Sequence, residues 1–138
     1  DSGIYKSIDG GIKWEQLTGG LPQSDQSRIG LAATNDGILA VYVNPKHNFE
    51  GLYKTTNGGK NWLLMPADPE INGFDTFLFG GFGWYFSKIR VNPTDDKDIS
   101  VLGVRAIRTL DGGENWEQIQ TRIRPNTGAQ TMKSVKTP

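Results

Sequence analysis

Acidic side chains set beside paired glycines recur along this chain, and they are the first place to look for chemistry. Ser7-Ile8-Asp9-Gly10-Gly11-Ile12-Lys13-Trp14, Thr55-Thr56-Asn57-Gly58-Gly59-Lys60-Asn61-Trp62 and Thr109-Leu110-Asp111-Gly112-Gly113-Glu114-Asn115-Trp116 repeat one eight-residue pattern. A carboxylate at its third position has the chemistry to hold a metal or move a proton. The neighbouring residue types argue for another use. Ser or Thr followed two residues later by Asp or Asn bonds the backbone N–H groups of its own turn, and Gly-Gly supplies the positive φ that such a turn needs. A carboxylate occupied by backbone donors is poorly placed for proton transfer, and Asn57 keeps the bonding capacity without the charge. The pattern residues are therefore read as structural: Ser7, Asp9, Gly11 and Trp14; Thr55, Asn57, Gly59 and Trp62; Thr109, Asp111, Gly113 and Trp116. Each Trp folds its ring back under its turn.

Outside the repeats the candidates are few. A glycosidase needs two carboxylates about 5 to 10 Å apart, and Asp68, Glu70 and Asp75 are available with nothing in the sequence to pair them. Asp68 and Asp75 stand as weak catalytic candidates. His47 is the sole histidine and there is no cysteine, so thiolate or histidine metal sites and a Ser/His triad lack parts; no metal and no cofactor are expected. The richest stretch is aromatic: Phe74, Phe77, Phe79, Phe82, Trp84, Tyr85 and Phe86 lie among Gly73, Gly80, Gly81 and Gly83. Flat rings suit sugar rings or peptide side chains, and glycine lets a backbone approach closely. The same rings would also serve as core filling between layers. Phe82, Trp84, Tyr85, Arg105 and His47 are the ligand-binding candidates.

The elements that must position these residues follow from the repeat. The third positions of the pattern are 48 residues apart from Asp9 to Asn57 and 54 apart from Asn57 to Asp111, which suits one four-stranded propeller blade per repeat. Each copy lies between two short apolar runs and reads as the tip of a hairpin. Residues 3–7 and 14–18 are the outer half of a first blade (1–20). A second blade (21–70) has strands at 28–33, 38–43, 52–55 and 62–65, with a turn at Asn35-Asp36-Gly37. The aromatic loop and a third blade occupy 71–122, with strands at 87–91, 99–103, 106–109 and 116–119. Residues 123–138 read as an irregular tail. The fold class is all-β, a partial β-propeller of about two and a half four-stranded blades, expected to be a fragment of a larger propeller because such a piece leaves sheet edges open. The repeated turns then share one face. Ligands belong on the other, with the loop at 44–50 and the segment 66–86.

Composition sets wider bounds. Fifteen basic and fifteen acidic residues balance, so bulk charge calls for no nucleic acid, and no apolar run is long enough for membrane insertion. Eighteen glycines and seven prolines between short apolar runs favour strands over helices.

The pattern Ser/Thr-x-Asp-x-Gly-x-x-Trp resembles the Asp-box, or bacterial neuraminidase repeat, of sialidases, xyloglucanase-type glycoside hydrolases, sortilin ectodomains and photosystem assembly propellers. Further segments, Arg28-Ile29-Gly30-Leu31-Ala32, Gly51-Leu52-Tyr53-Lys54 and Trp84-Tyr85-Phe86-Ser87-Lys88-Ile89-Arg90-Val91-Asn92-Pro93, look like bacterial sortilin-like, glycosyl-hydrolase-like propeller proteins. The resemblance implies a non-catalytic propeller segment that binds protein, peptide or glycan, in a secreted or cell-surface bacterial protein whose export signal lies outside this sequence. Its partners would be the remaining blades of the same propeller or another chain. The alternative it implies is part of a xyloglucanase-like glycoside hydrolase acting on β-glucans. A sialidase is disfavoured, since the Arg-Ile-Pro start of those enzymes reads Arg28-Ile29-Gly30 here.

Overall fold

The computed structural model describes residues 2–119, 121–123 and 132–134. Within them the chain is all-β, without helix, and every ladder is antiparallel. β1 (Ile4–Lys6) pairs with β2 (Glu15–Leu17). A four-stranded sheet follows in sequence order, β3 (Arg28–Ala33), β4 (Ile38–Val43), β5 (Phe49–Thr55) and β6 (Leu63–Leu64). A second has β7 (Lys88–Asn92), β8 (Asp95–Leu102), β9 (Ala106–Thr109) and β10 (Glu117–Ile119). The tail expected to be irregular carries a ladder as well: β11 (Thr121–Ile123) pairs with β12 (Met132–Ser134), while the rest of 124–138 lies outside the described residues.

Several strand limits differ from the sequence expectation for local reasons. β5 begins at Phe49 rather than 52, because the loop before it closes tightly: Asn44 N–H donates to Asn48 O (2.9 Å) and His47 N–H to Asn44 O (2.8 Å). β8 begins at Asp95 rather than 99, and the register shifts between Val91 and Asn92 to accommodate it. β6 and β10 both start one residue after the tryptophan. The Trp62 N–H is committed elsewhere, to Gly19 O at 2.8 Å, and the Trp116 N–H to Asn72 O at 2.7 Å.

Those two bonds belong to a repeated junction. Gly20 and Gly73 follow the accepting residues, both at positive φ (88° and 75°), and a β-carbon on either would collide with the tryptophan carbonyl beside it. Next in the chain come Leu21 and Phe74. Leu21 is buried in one apolar cluster with Trp62, and Phe74 meets Trp116 edge-on at 5.1 Å in the other. A layer's entry segment is thus pinned to the tryptophan of its own last turn.

β4 shows how the layers stack. Its sequence, Ile-Leu-Ala-Val-Tyr-Val, is apolar throughout, and alternate side chains of a strand point to opposite faces. Leu39, Val41 and Val43 join the cluster shared with the β7–β10 sheet, whereas Ala40 and Tyr42 join the cluster shared with β1–β2. The β3–β6 sheet is therefore a middle layer whose strand β4 is buried on both faces, which is why that strand lacks the apolar/polar alternation of a one-sided sheet. β3 and β7 run close together at one edge, and the space beside Gly30 is filled by Val41 and the Ser87 carbonyl.

Candidate functional site

The loops gather at two ends of the layers. At one end lie the repeated turns together with the β3–β4 and β7–β8 turns: Asn35 N–H donates to Asp96 Oδ2 (2.7 Å), Gly112 N–H to Lys97 O (3.0 Å) and Lys6 Nζ to Gly58 O (2.9 Å). In each repeat the hydroxyl takes the second glycine's N–H, at 2.8 Å for Ser7, 3.0 Å for Thr55 and 3.0 Å for Thr109. Asp9 Oδ1 accepts from Ile12 and Lys13 N–H, Asn57 Oδ1 from Asn61 N–H, and Asp111 Oδ1 from Asn115 N–H. Both glycines of every copy have positive φ. The backbone N–H of Lys13, aided by the Ser7 hydroxyl, lowers the Asp9 pKa. The Asn115 N–H and side-chain amide hold Asp111 at about 2. Such carboxylates are poor bases near neutral pH.

The tryptophans of the three turns do not share one environment. Trp62 and Trp116 are each 4% exposed, whereas Trp14 is 62% exposed. Trp14 and Trp116 both donate their indole N–H to the second glycine's carbonyl, at 3.0 and 3.2 Å, and the buried Trp62 indole N–H has no partner among the described residues. A groove of about 860 Å3 opens here between the first and second turns, lined by Trp14, Leu17, Gly59 and three lysines, Lys6, Lys13 and Lys60.

Most of the sequence candidates lie at the other end. Asp68 caps a turn, its Oδ1 accepting from Glu70 N–H (2.8 Å) and Ile71 N–H (3.2 Å). Asp75 is bound three ways: Phe77 N–H donates to Oδ1 (3.0 Å), and Arg105 Nη1 (3.1 Å) and Gln118 Nε2 (3.0 Å) donate to Oδ2. Arg105 is therefore tied to Asp75, beside Gly103 and Ile119, and is not part of the histidine cluster. Both carboxylates have positioning work of their own.

The aromatic segment divides. Phe74 and Phe79 are fully buried, with Leu78, and fill the core between the two four-stranded sheets, where Phe49 packs on both rings. Phe77, Phe82, Trp84, Tyr85 and Phe86 are exposed. Trp84, Tyr85 and Phe86 run edge to face in succession, with ring centroids 5.5 and 4.7 Å apart. Their turn is tied down from several sides. Tyr85 and Phe86 N–H donate to Phe82 O, Gly81 N–H to Asn48 Oδ1 and Gly83 N–H to His47 O. Arg28 Nη1 donates to the carbonyls of Trp84 (3.1 Å) and Tyr85 (3.3 Å).

His47 and Trp84 are brought together, ring centroids 6.5 Å apart. Beside them Ser27 Oγ lies 2.6 Å from His47 Nδ1, and Asp25, Gln26, Ser27, Pro45, His47 and Trp84 line an open cleft of about 490 Å3. His47 has φ of 67°, costly for a residue with a β-carbon and held by the bonds on either side of it. Asp25, Gln26 and Ser27 were missed in the sequence. The hairpin register carried the signal for Ser27: with Arg28 opposite Val43, Ser27 must stand beside the loop that follows β4. Chemically the cleft offers a half-exposed indole face, a hydroxyl–imidazole pair and a carboxylate. That is the make-up of a site that stacks one face of a ring and bonds its edge.

Among the described residues there is no group of three or more His, Cys, Asp or Glu side chains placed to hold a metal ion, and no helix long and apolar enough to cross a membrane. No family model matches the chain. It is similar to a protein of Neosartorya fischeri described as a probable oligoxyloglucan-reducing end-specific xyloglucanase, 25% identical over 124 aligned positions. The match covers 77% of this chain and 15% of that protein, so the chain spans a small part of the relative's length.

Proposed function

We propose that this chain is a carbohydrate-binding, non-catalytic segment of an Asp-box β-propeller, and that it holds a glycan in the Trp84–His47 cleft. The observation that carries this is the pairing of a 53% exposed Trp84 with a polar pocket wall on a loop end braced by Arg28, Asn48 and Gly83. An exposed aromatic is ordinary by itself; one fixed by bonds to its own carbonyl and beside an imidazole is a prepared platform. The distant likeness to a xyloglucanase supports a sugar over a peptide. Three successive layers, each with the same Gly-Gly turn joining its last two strands, support the propeller reading and, with it, the sortilin-like comparison. Its other blades, in this polypeptide or another, are the expected neighbours, and a secreted or cell-surface setting suits a polysaccharide ligand.

Hydrolysis is the second reading, favoured by the relative's name and by Asp25 at the cleft. Against it, Asp68 and Asp75 are already engaged and no second carboxylate lines the cleft among the described residues. Titrating the chain with xyloglucan oligosaccharides tests both. Trp84→Ala should weaken binding by about tenfold or more, leave the melting temperature within a few degrees, and wild type should release no new reducing ends. Absence of binding by the wild-type chain, or full binding by Trp84→Ala with lost stability, overturns the assignment.

A further inference from the structure

Among the described residues His47 is the one outside the glycines with a positive φ, a conformation that glycine would hold at lower cost. Backbone bonds fix it and the serine beside it: His47 N–H donates to Asn44 O (2.8 Å), Gly83 N–H to His47 O (2.9 Å) and Ser27 N–H to Val43 O (2.9 Å). The two side chains therefore meet in a set geometry, with Ser27 Oγ 2.6 Å from His47 Nδ1.

The direction of that bond follows from where protons can go. The hydroxyl has a single proton, and its bond to His47 is the one it makes among the described residues. Were Nδ1 the donor, the hydroxyl proton would be left without an acceptor among them. The length also suits an O–H donor, whose usual range centres on about 2.7–2.8 Å against about 2.9–3.0 Å for N–H. With Nδ1 accepting, the neutral ring carries its proton on Nε2. That nitrogen bonds no described residue and is not one of the buried atoms left without a partner, so it opens into the cleft beside Trp84.

Asp25 is the charged side chain among those lining the cleft, and it is exposed. One wall thus donates and another accepts, next to an indole face. The hydroxyls of a sugar ring answer both, whereas a carboxylate on that ring would meet Asp25 as a like charge.

We propose that Ser27 is a positioning residue that holds the His47 proton on Nε2, so that Nε2–H donates to a hydroxyl of an uncharged sugar stacked on Trp84, and that Asp25 turns sugar acids away. The proposal rests on the glycan reading of the cleft.

His47 is the sole histidine, so NMR reads its ring nitrogens without assignment. In the wild-type chain at alkaline pH the shifts should place the proton on Nε2. Ser27→Ala should give a mixture of the two tautomers, and Ser27→Thr, which keeps a hydroxyl, should restore the single form. Binding is then titrated with xyloglucan oligosaccharides and with the same oligosaccharides after oxidation of their primary alcohols to carboxylates. Ser27→Ala should weaken binding of the neutral form by about three- to tenfold, and Ser27→Thr should match wild type, with melting temperatures within a few degrees. At low salt the wild type should prefer the neutral form by about fivefold or more, and Asp25→Asn should narrow the gap. A wild-type proton on Nδ1, or undiminished binding by Ser27→Ala, overturns the positioning role and leaves the glycan reading standing. Equal affinity of the wild type for the two forms overturns the role of Asp25. Failure of the wild type to bind either form overturns the glycan reading and this proposal with it.

Discussion

Replacing Trp116 and Trp14 by Ala in separate variants separates what a repeated turn does for itself from what its neighbours do for it. The two tryptophans make the same indole bond to the second glycine of their turn, at 3.2 and 3.0 Å. They differ in exposure, 4% against 62%, a difference of 58% of the residue's surface. For a side chain burying roughly 200 Å² this is about 120 Å², or about 3 kcal/mol at 25 cal/mol per Å². The lost bond is common to both variants and cancels in the comparison. Trp116→Ala also leaves a hole against Phe74, so its total cost should fall in the range of about 3–5 kcal/mol seen for large aromatic truncations. Trp14→Ala should cost about 1 kcal/mol. Urea unfolding followed by circular dichroism gives both numbers, since tryptophan fluorescence would change with the substitution itself. Equal losses in the two variants would refute the reasoning, because they would mean that the turn, and not the layer packed on it, sets the worth of its tryptophan.

Three further outcomes follow from single contacts. Trp62→Phe removes a buried indole N–H that has no partner among the described residues, so it should be neutral or slightly stabilising, whereas Trp116→Phe should lose about 1 kcal/mol with its bond; the two urea midpoints decide. The Arg108 guanidinium, bonded through Nε (2.7 Å) and Nη2 (2.8 Å), and Asn92 after it, hold Asp98 at about 2. A lowered carboxylate pKa means stability present above about 3.8 and lost as pH falls toward 2; discounted for the half-exposed Arg108, the loss should be roughly 1–2 kcal/mol, seen as a steeper fall in the unfolding midpoint of wild type than of Asp98→Asn over that window. Gly73→Ala combines a φ of 75° with a clash against the Trp116 carbonyl and should cost about 2 kcal/mol or more by calorimetry, while Gly81→Ala, with a φ of 79° and open space around it, should cost about 1.

Strands were legible wherever a short apolar run was fenced by turn residues, as at Ile38–Val43 and Ala106–Thr109. The two positive-φ glycines of each turn were legible because Gly-Gly has few other uses at a hairpin tip. The unequal burial of the three tryptophans was not legible, since it depends on Leu21 and Phe74 arriving from more than forty residues earlier in the chain. The junction role of Gly20 and Gly73, against the carbonyls of Trp62 and Trp116, was hidden for the same reason. At the cleft, His47 and Trp84 stood out by residue type, but Ser27 and Arg28 are ordinary polar residues until the register places them. Arg105 looked equally available and is held by Asp75 thirty residues away. β11 and β12 escaped because neither has the apolar alternation that marks a packed strand.

β4 contributes alternate side chains to two separate apolar clusters. Its amide protons are therefore shielded by two independent interfaces, and peeling away either outer layer leaves them covered on the other side. Exchange with deuterium should be slowest there and should outlast exchange in β1 or β9, whose protection ends when one interface opens. Substitutions split along the same line. A change at Val41 loosens the contact with the β7–β10 sheet and a change at Tyr42 the contact with β1–β2, so neighbouring positions on a single strand can drift independently while the ladder joining them stays intact.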